Sequence, residues 1–446
     1  MAMHQPAANR KIKPYQLVAL IFFTVSGGPY GLEPLLAYAG EHSAVLLLLV
    51  VPLLWDVPAI FTVLELNSMM PVNGGYYRWV KYALGNRWGF YEGWWTWIYT
   101  FVDLAIYPVL FVGYASYFFP GIEEYRILVC LVIVWLSAGL NILGIVPVGK
   151  VALFLSAAVL APLIVMFVMA LAKYNGGINV PNQTIHGLTH SSFGMALYTI
   201  MWNCLGWDNV TTYADEVEKP IRSYLVSVFT AFALVMVIYF LVITVAINTG
   251  INQQLFSEGG FPALGELIAG RWLGAALAAG GMASSLGLYA AILLSVSRVP
   301  KAMADDELLP RRLNILHSRF RTPYVSILLC SVVVSFMILW PLAELLVIDV
   351  TVYGAGLSLE YISLIKLRIS HPNTERPFKI RLGTTGLIIA AIIPFGIYFL
   401  ALSGALASEG GGIIAALFAI IVLSTAEGMW LLVSWRKPHL RLKANS

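Results

Sequence analysis

A dozen apolar runs, each long enough to cross the ~30 Å hydrocarbon layer of a bilayer, follow one another along this chain with short polar stretches between them. They fall near residues 15–40, 44–69, 88–118, 126–145, 148–172, 193–214, 222–248, 268–298, 323–340, 343–365, 384–406 and 411–434. With 59% apolar and 11% charged residues, against about 25% charged in soluble domains, this is not the composition of a soluble enzyme. Hydrocarbon cannot solvate a bare peptide group, so such runs cross as helices. The expected fold class is all-α, a polytopic membrane protein of about twelve helices with no room for a folded soluble domain.

Short cytoplasmic loops are enriched in Lys and Arg. Of the 27 such residues, only Arg126, Lys173 and Arg271 fall on one side of the twelve-span arrangement. Both termini are therefore expected in the cytoplasm: Arg10, Lys11 and Lys13 at one end, Arg436, Lys437, Arg441 and Lys443 at the other. The net charge of +4 reads as topology plus contact with lipid headgroups, and nucleic acid is not an expected partner. No cleavage pattern of a secretory signal precedes the first span, which is expected to be retained. Cys130, Cys204 and Cys330 lie in apolar spans without CxxC spacing, and all seven histidines fall outside the spans. No metal or cofactor is expected, and no nucleophile-base pair suggests an embedded enzyme.

The first span breaks itself. Ser26-Gly27-Gly28-Pro29-Tyr30-Gly31-Leu32-Glu33-Pro34 cannot continue a helix, and a break at membrane depth is tolerated only where protein or a polar cavity receives it. The sixth span is interrupted in the same way by Trp202-Asn203-Cys204-Leu205-Gly206-Trp207-Asp208-Asn209. Two interrupted helices in corresponding positions of two halves point to a transporter with inverted five-helix repeats. Freed carbonyls there receive cations or ammonium groups, while half-helix N-termini favour anions.

Ten acids fall in or at the edges of spans: Glu33, Asp56, Glu65, Glu92, Asp103, Asp208, Glu344, Asp349, Glu360 and Glu427. Lys and Arg are nearly confined to loops, so these acids are expected to lack protein cations. An ionised carboxylate at the bilayer centre costs at least ~2.5–3.5 kcal/mol, so each must be wet, protonated or matched by an arriving cation. Glu344, Asp349 and Glu427 sit near span ends, where solvation or capping is expected. Asp56 and Glu65, nine residues apart, point to opposite helix faces and make no joint site. In the third span Glu92, Thr96, Tyr99, Asp103 and Tyr107 recur every three or four residues as one polar face, with Asp103 central.

Several strings resemble the amino acid-polyamine-organocation superfamily: Ser26 to Glu33, Pro71-Val72-Asn73-Gly74-Gly75-Tyr76 with Trp79, and Asp103-Leu104-Ala105-Ile106-Tyr107-Pro108-Val109-Leu110-Phe111. Trp207-Asp208-Asn209, Glu216-Val217-Glu218-Lys219-Pro220, and His371-Pro372 with Arg376-Pro377-Phe378-Lys379-Ile380 are similar to the branch holding the plant polyamine uptake transporters. The resemblance implies a LeuT-type 5+5 inverted repeat with discontinuous helices 1 and 6 and alternating access coupled to protons. On that basis residues 1–14 form a cytoplasmic tail and 15–366 a ten-helix core with repeats at 15–172 and 193–366. Residues 367–383 form a cytoplasmic loop, 384–434 two peripheral helices and 435–446 a second tail. Carried over by position, Ser26, Gly27, Gly28, Gly31, Trp202, Asn203, Gly206 and Asp208 line the unwound segments, with Trp202 an aromatic gate. Asn73, Gly74, Gly75, Tyr76 and Glu216 belong to the cytoplasmic gate.

Two departures shape the expected substrate. Many permeases of this superfamily carry Gly-Ser-Gly-Ile-Gly in the first helix, whose N–H groups hold a substrate carboxylate; here Pro29 removes a donor and Glu33 adds negative charge. A lysine found in the fifth helix of some proton-coupled relatives has no counterpart from Val151 to Ala172. The expected function is secondary active transport, in a cell membrane, of an amine-bearing cation or polyamine, with an amino acid as the second candidate. Glu33, Asp103 and Asp208 form the negative pocket and the candidate proton carriers, and Tyr107 and Trp202 cover the ligand by cation–π contact. Sodium is the alternative coupling ion, with Ser284 and Ser285 of the eighth span as its candidate ligands.

Overall fold

The computed structural model describes residues 11–174, 179–185, 187–218, 221–256, 260–339, 348–407 and 417–440 in full, and the backbone alone at 220, 257–259, 342–347, 412–416 and 441–442. Glu344, His186 and Lys219 lie outside the residues described in full, as do the two extreme ends of the chain.

The helices run α1 (Pro14–Val25), α2 (Pro34–Ala39), α3 (Ala44–Met69), α4 (Gly75–Leu84), α5 (Asn86–Ala115), α6 (Arg126–Leu143), α7 (Ile145–Lys173), α8 (His190–Trp202) and α9 (Pro220–Thr249). They continue as α10 (Gln253–Ala269), α11 (Arg271–Val296), α12 (Arg298–Asp305), α13 (Tyr324–Met337), α14 (Leu342–Ser370), α15 (Thr384–Leu406), α16 (Gly412–Arg436) and α17 (His439–Leu442). Among the described residues nine helical stretches are long and apolar enough to cross a bilayer. Adding α13 and the two interrupted segments, α1 with α2 and α8 with the 3₁₀ turn Asn209–Glu216, accounts for the twelve expected spans. The shorter helices α4, α10 and α12 are interposed between spans, so the connections are more structured than simple short loops.

α5, α11 and α14 are the most enclosed spans, while α6, α7, α15 and α16 turn most of their surface outward toward lipid. α11 packs between α5 and α7, and α14 lies along α5. α1 crosses this group against α7, α9 and α11. α15 and α16 sit at the periphery, the first against α8 and α3, the second against α14 and α5. Both described ends reach one face of the bundle. Ile12 pairs with the stretch after the second break, through Ile12 N–H to Glu216 O (3.1 Å) and Glu218 N–H to Ile12 O (3.1 Å). The Leu440 carbonyl accepts from Asn86 at the start of α5 (3.0 Å).

The expectation that the span acids lack protein cations fails at two of them. Glu65 on α3 is fully buried, with Arg368 gripping both of its oxygens (2.5 and 2.6 Å), Arg376 at 3.3 Å and the Ile380 N–H at 2.8 Å. Glu427 pairs with Arg87 at 2.7 Å, half in solvent. Both arginines at Glu65 come from the end of α14 and the loop after it, far away in sequence, so the hydropathy pattern of α3 carries no sign of them. Arg368→Met removes the guanidinium that grips both Glu65 oxygens, leaving the buried carboxylate only Arg376 and the Ile380 N–H, and is expected to lower stability by up to about 3–5 kcal/mol, whereas Arg87→Met removes an exposed pair and is expected to change it by less than about 1 kcal/mol. Thermal unfolding of the two variants in detergent checks the contrast.

Candidate functional site

The two breaks meet. α1 ends at Val25 because Gly27 (φ 61°), Gly28 (φ 109°) and Gly31 (φ 106°) occupy left-handed backbone that costs other residues strain. Its chain restarts at Pro34, a favoured first helical residue. α8 ends at Trp202, and Gly206 (φ 94°) turns the second break so closely onto the first that a Cβ there would lie 2.9 Å from the Thr24 carbonyl oxygen. Freed polar groups are satisfied across the junction. The Asn203 amide donates to Gly31 O (3.1 Å) and Thr199 O (2.8 Å). Tyr239 of α9 donates to Asn203 O (2.7 Å) and sits 2.7 Å from the Ser26 hydroxyl, which in turn accepts from the Gly28 N–H (3.1 Å).

Beside this junction lies a small cavity lined by Thr24, Val25, Tyr99, Asp103, Tyr107, Trp202, Leu205, Gly206, Asn209 and Asp349. Among the described residues no basic side chain lines it. Asp103 on α5 accepts from the Tyr107 hydroxyl (2.5 Å), and the Trp202 indole is within reach of the same carboxylate. Asp349 on α14 faces Asp103 and is buried, and its Oδ1 accepts no hydrogen bond. The expectation that Asp349 is solvated near a span end is therefore corrected: α14 begins at Leu342, which puts Asp349 two turns inside the helix. α1 and α8 also bring their C-terminal ends here, where the helix dipole carries about half a negative charge. Two carboxylates and two negative helix ends thus converge in a low-dielectric space.

Of the residues expected to bind substrate, Asp103, Tyr107, Trp202 and Gly206 line the cavity, while Ser26, Gly27, Gly28 and Asn203 shape the junction behind it. Trp202 also packs its ring on Gly31, where a Cβ would sit 2.6 Å from the indole. Glu33 lies on the far side of that contact. It accepts from the Gly31 N–H (2.6 Å) and the Tyr114 hydroxyl (2.5 Å), beneath α10, and does not reach the cavity. Asp208 also lies behind the cavity wall, accepting from the Tyr353 hydroxyl (3.0 Å). Asp349, Tyr353 and Glu360 are functional candidates that the sequence reading passed over. Their signal was present: Asp349, Tyr353, Gly356 and Glu360 repeat the three- and four-residue stride of Asp103, Tyr99, Thr96 and Glu92 on the neighbouring helix.

The residues assigned to a gate cluster on the face that carries both chain ends. The Gly74 N–H donates to Thr212 O (2.9 Å), and Gly75 packs so tightly on Thr211 that a Cβ would lie 2.1 Å from its hydroxyl. Glu216 is held by the buried Arg298 through two bonds (2.8 and 3.2 Å), and the same guanidinium lies over the Tyr213 ring. Asp306 adds a second latch with Tyr77, Arg78 and Lys81. Partial burial works against its charge, but the Arg78 guanidinium and the Lys81 and Tyr77 donors hold its carboxyl below the ordinary range. The latch is therefore present at neutral pH and lost only as the solution turns strongly acid. Asn73 is half-buried with its Oδ1 enclosed and unpartnered, and Tyr76 points inward, away from the gate.

Residues 12–433 match the amino acid permease family. The chain is similar to the polyamine transporter RMV1 of Arabidopsis thaliana, 34% identical over 391 residues covering 86% of this chain and 79% of that one. It is also similar to the polyamine transporter PUT1 of Oryza sativa subsp. japonica, 31% identical over 395 residues covering 87% and 73%.

Gly206→Ala is expected to cut transport by roughly tenfold or more, because the new methyl meets the Thr24 carbonyl in backbone that strains any side chain. Gly113→Ala, where a Cβ meets nothing, is the control and is expected to leave transport unchanged. Initial uptake rates, normalised to the amount of protein in the membrane, check both.

Proposed function

This chain belongs to the amino acid permease family, and we propose that the permease carries linear polyamines, holding an ammonium group between Asp103 and Asp349 and moving it by alternating access. One observation carries the proposal: two buried carboxylates and two helix C-termini surround a cavity that offers no basic side chain. An arriving ammonium ion removes the cost of leaving those charges in low dielectric. The Tyr107 and Trp202 rings add apolar and cation–π contact for a methylene chain and its charged end. The names of the similar plant proteins support the same substrate class.

An amino acid is the poorer ligand because its carboxylate has no prepared site. The N–H groups freed by the first break would be its natural donors, yet Pro29 has none and the Gly31 N–H is already taken by Glu33. Glu33 stands where a substrate carboxylate would bind and repels a second one. That argument favours amines without a carboxyl group.

In this proposal protons drive uptake, with Asp103, Asp208 and Glu33 the candidate carriers. In the same proposal the face with the described ends, and with it the Glu216–Arg298 gate, lies on the cytoplasmic side of a cell membrane, a reading the positive-inside bias supports. One observation favours sodium as a second reading of the coupling ion. The Ser284 hydroxyl on α11 is buried without a hydrogen-bond partner and lies against Gly27 at the first break.

Proteoliposomes with an imposed pH gradient test the proposal. Labelled putrescine and spermidine are expected to accumulate, leucine is not, and replacing external sodium by a bulky organic cation is expected to change nothing. Asp103→Asn and Asp349→Asn are each expected to reduce amine uptake about tenfold or more, the effect of removing a charged acceptor from an ammonium. Leucine uptake without movement of, or competition by, diamines overturns the substrate assignment. Gradient-driven uptake unchanged in both Asp103→Asn and Asp208→Asn overturns the proton assignment.

A further inference from the structure

A second group of acids lies behind the cavity, toward the gate. Glu92 of α5, Asp208 of the second break and Glu360 of α14 are all buried; Glu92 is close enough to Asp208 to repel it, and Glu360 is close enough to share a proton with it. Tyr353 and Thr96 satisfy one oxygen each of Asp208 and Glu92. Both Glu360 oxygens and Glu92 Oε2 accept nothing. Acids alone do not make a site, but a neutral group is aimed at them as well. The Tyr76 hydroxyl, fully buried at the start of α4, faces all three carboxylates beside the Thr96 hydroxyl and makes no well-formed hydrogen bond. No guanidinium or ammonium among the described residues compensates the cluster, in contrast to Glu65 with its two arginines.

The two acidic groups are in register. Asp103 and Glu92 are eleven residues apart on α5, and Asp349 and Glu360 are eleven apart on α14, so each pair spans about 16 Å along its helix. Between the levels stand Tyr99 and Tyr353, their rings edge to face at 5.5 Å. Gly356 keeps the seam narrow beside Glu92, where a Cβ would come within 3.1 Å of the carboxylate.

We infer that Glu92, Asp208 and Glu360 form a second ammonium subsite, so that a long polyamine binds extended along the α5–α14 seam, one end between Asp103 and Asp349 and the other at this cluster. The inference rests on the proposed amine site at Asp103 and Asp349. Tyr99 and Tyr353 separate the two levels here, and rotation of a ring joins them, after which their faces flank the methylene chain and any internal ammonium. A short diamine occupies the upper level alone. Chain length is thus read by the spacing between two sets of charges.

Competition against labelled putrescine in proteoliposomes, using unlabelled α,ω-diamines of increasing length together with spermidine and spermine, tests this on the unmodified protein. Affinity is expected to rise by roughly tenfold or more once the chain is long enough to bridge both levels; a flat or falling series overturns the inference. Glu360→Gln and Glu92→Gln, which keep shape and remove charge, are expected to abolish that rise while leaving the KM for putrescine within about twofold. An equal loss for all amines, or a changed dependence on the pH gradient with the length preference intact, overturns the inference in favour of a structural or proton-carrying role. If no amine is carried at all, the upper site fails first; if amines are carried without a length preference, only the second subsite fails.

Discussion

Lipid cannot solvate a peptide group, and the two breaks in this bundle free several of them at membrane depth. The consequence runs through the whole architecture. Each break satisfies part of the other, through Asn203 to Gly31 and through Tyr239 between Ser26 and Asn203, so the first and second interrupted segments must lie back to back. Once they do, α1 and α8 end at the same place and their negative dipole ends add. The helices that enclose the junction then face an electronegative space. Two of them, α5 and α14, answer it with further carboxylates rather than with arginines.

That choice separates two uses of buried acid within one fold. Glu65 is surrounded by two guanidinium groups and the Ile380 N–H, and its task is to fasten α3 to the end of α14 and the loop beyond. Asp103, Asp349, Asp208, Glu92 and Glu360 have neutral donors or one another as partners, and no cation among the described residues pairs with them. An ion pair that is complete within the protein holds structure. A buried charge without a resident counterion is a place for something that comes and goes.

Much of this was legible from the residues alone, because glycine and proline announce themselves within apolar runs. The breaks at Gly27 to Pro34 and at Gly206, and the polar face from Glu92 to Tyr107, follow from backbone strain and helical period, and the structure has both features. What could not be read was pairing between distant segments. Arg368 and Arg376 reach Glu65 from more than three hundred residues away, and Tyr114 claims Glu33 from another helix. Asp349 lies deeper than its place in the apolar run suggests because burial there is set by the neighbouring helix: α14 starts at Leu342, within a residue of the expected span, yet Asp349 is enclosed opposite Asp103 of α5. The acidic ladder of α14 becomes visible only when that helix is laid antiparallel to α5, which brings Asp349 opposite Asp103 and Glu360 beside Glu92.

The position of Glu33 links this electrostatic pattern to selectivity. A carboxylate that is part of the chain sits 2.6 Å from the Gly31 N–H and takes the donor that a bound amino acid would need for its own carboxylate. On the proposed reading, the protein fills one half of a zwitterion site internally and leaves the other half, the acceptor for an ammonium, to Asp103 and Asp349. Tyr114 fixes Glu33 in that role from α5, the same helix that carries Asp103. Within the proposed reading, a movement of α5 that carried Tyr114 with Asp103 would couple the internal anion to the ammonium acceptor, so exclusion of carboxylates and capture of amines would be linked through one helix.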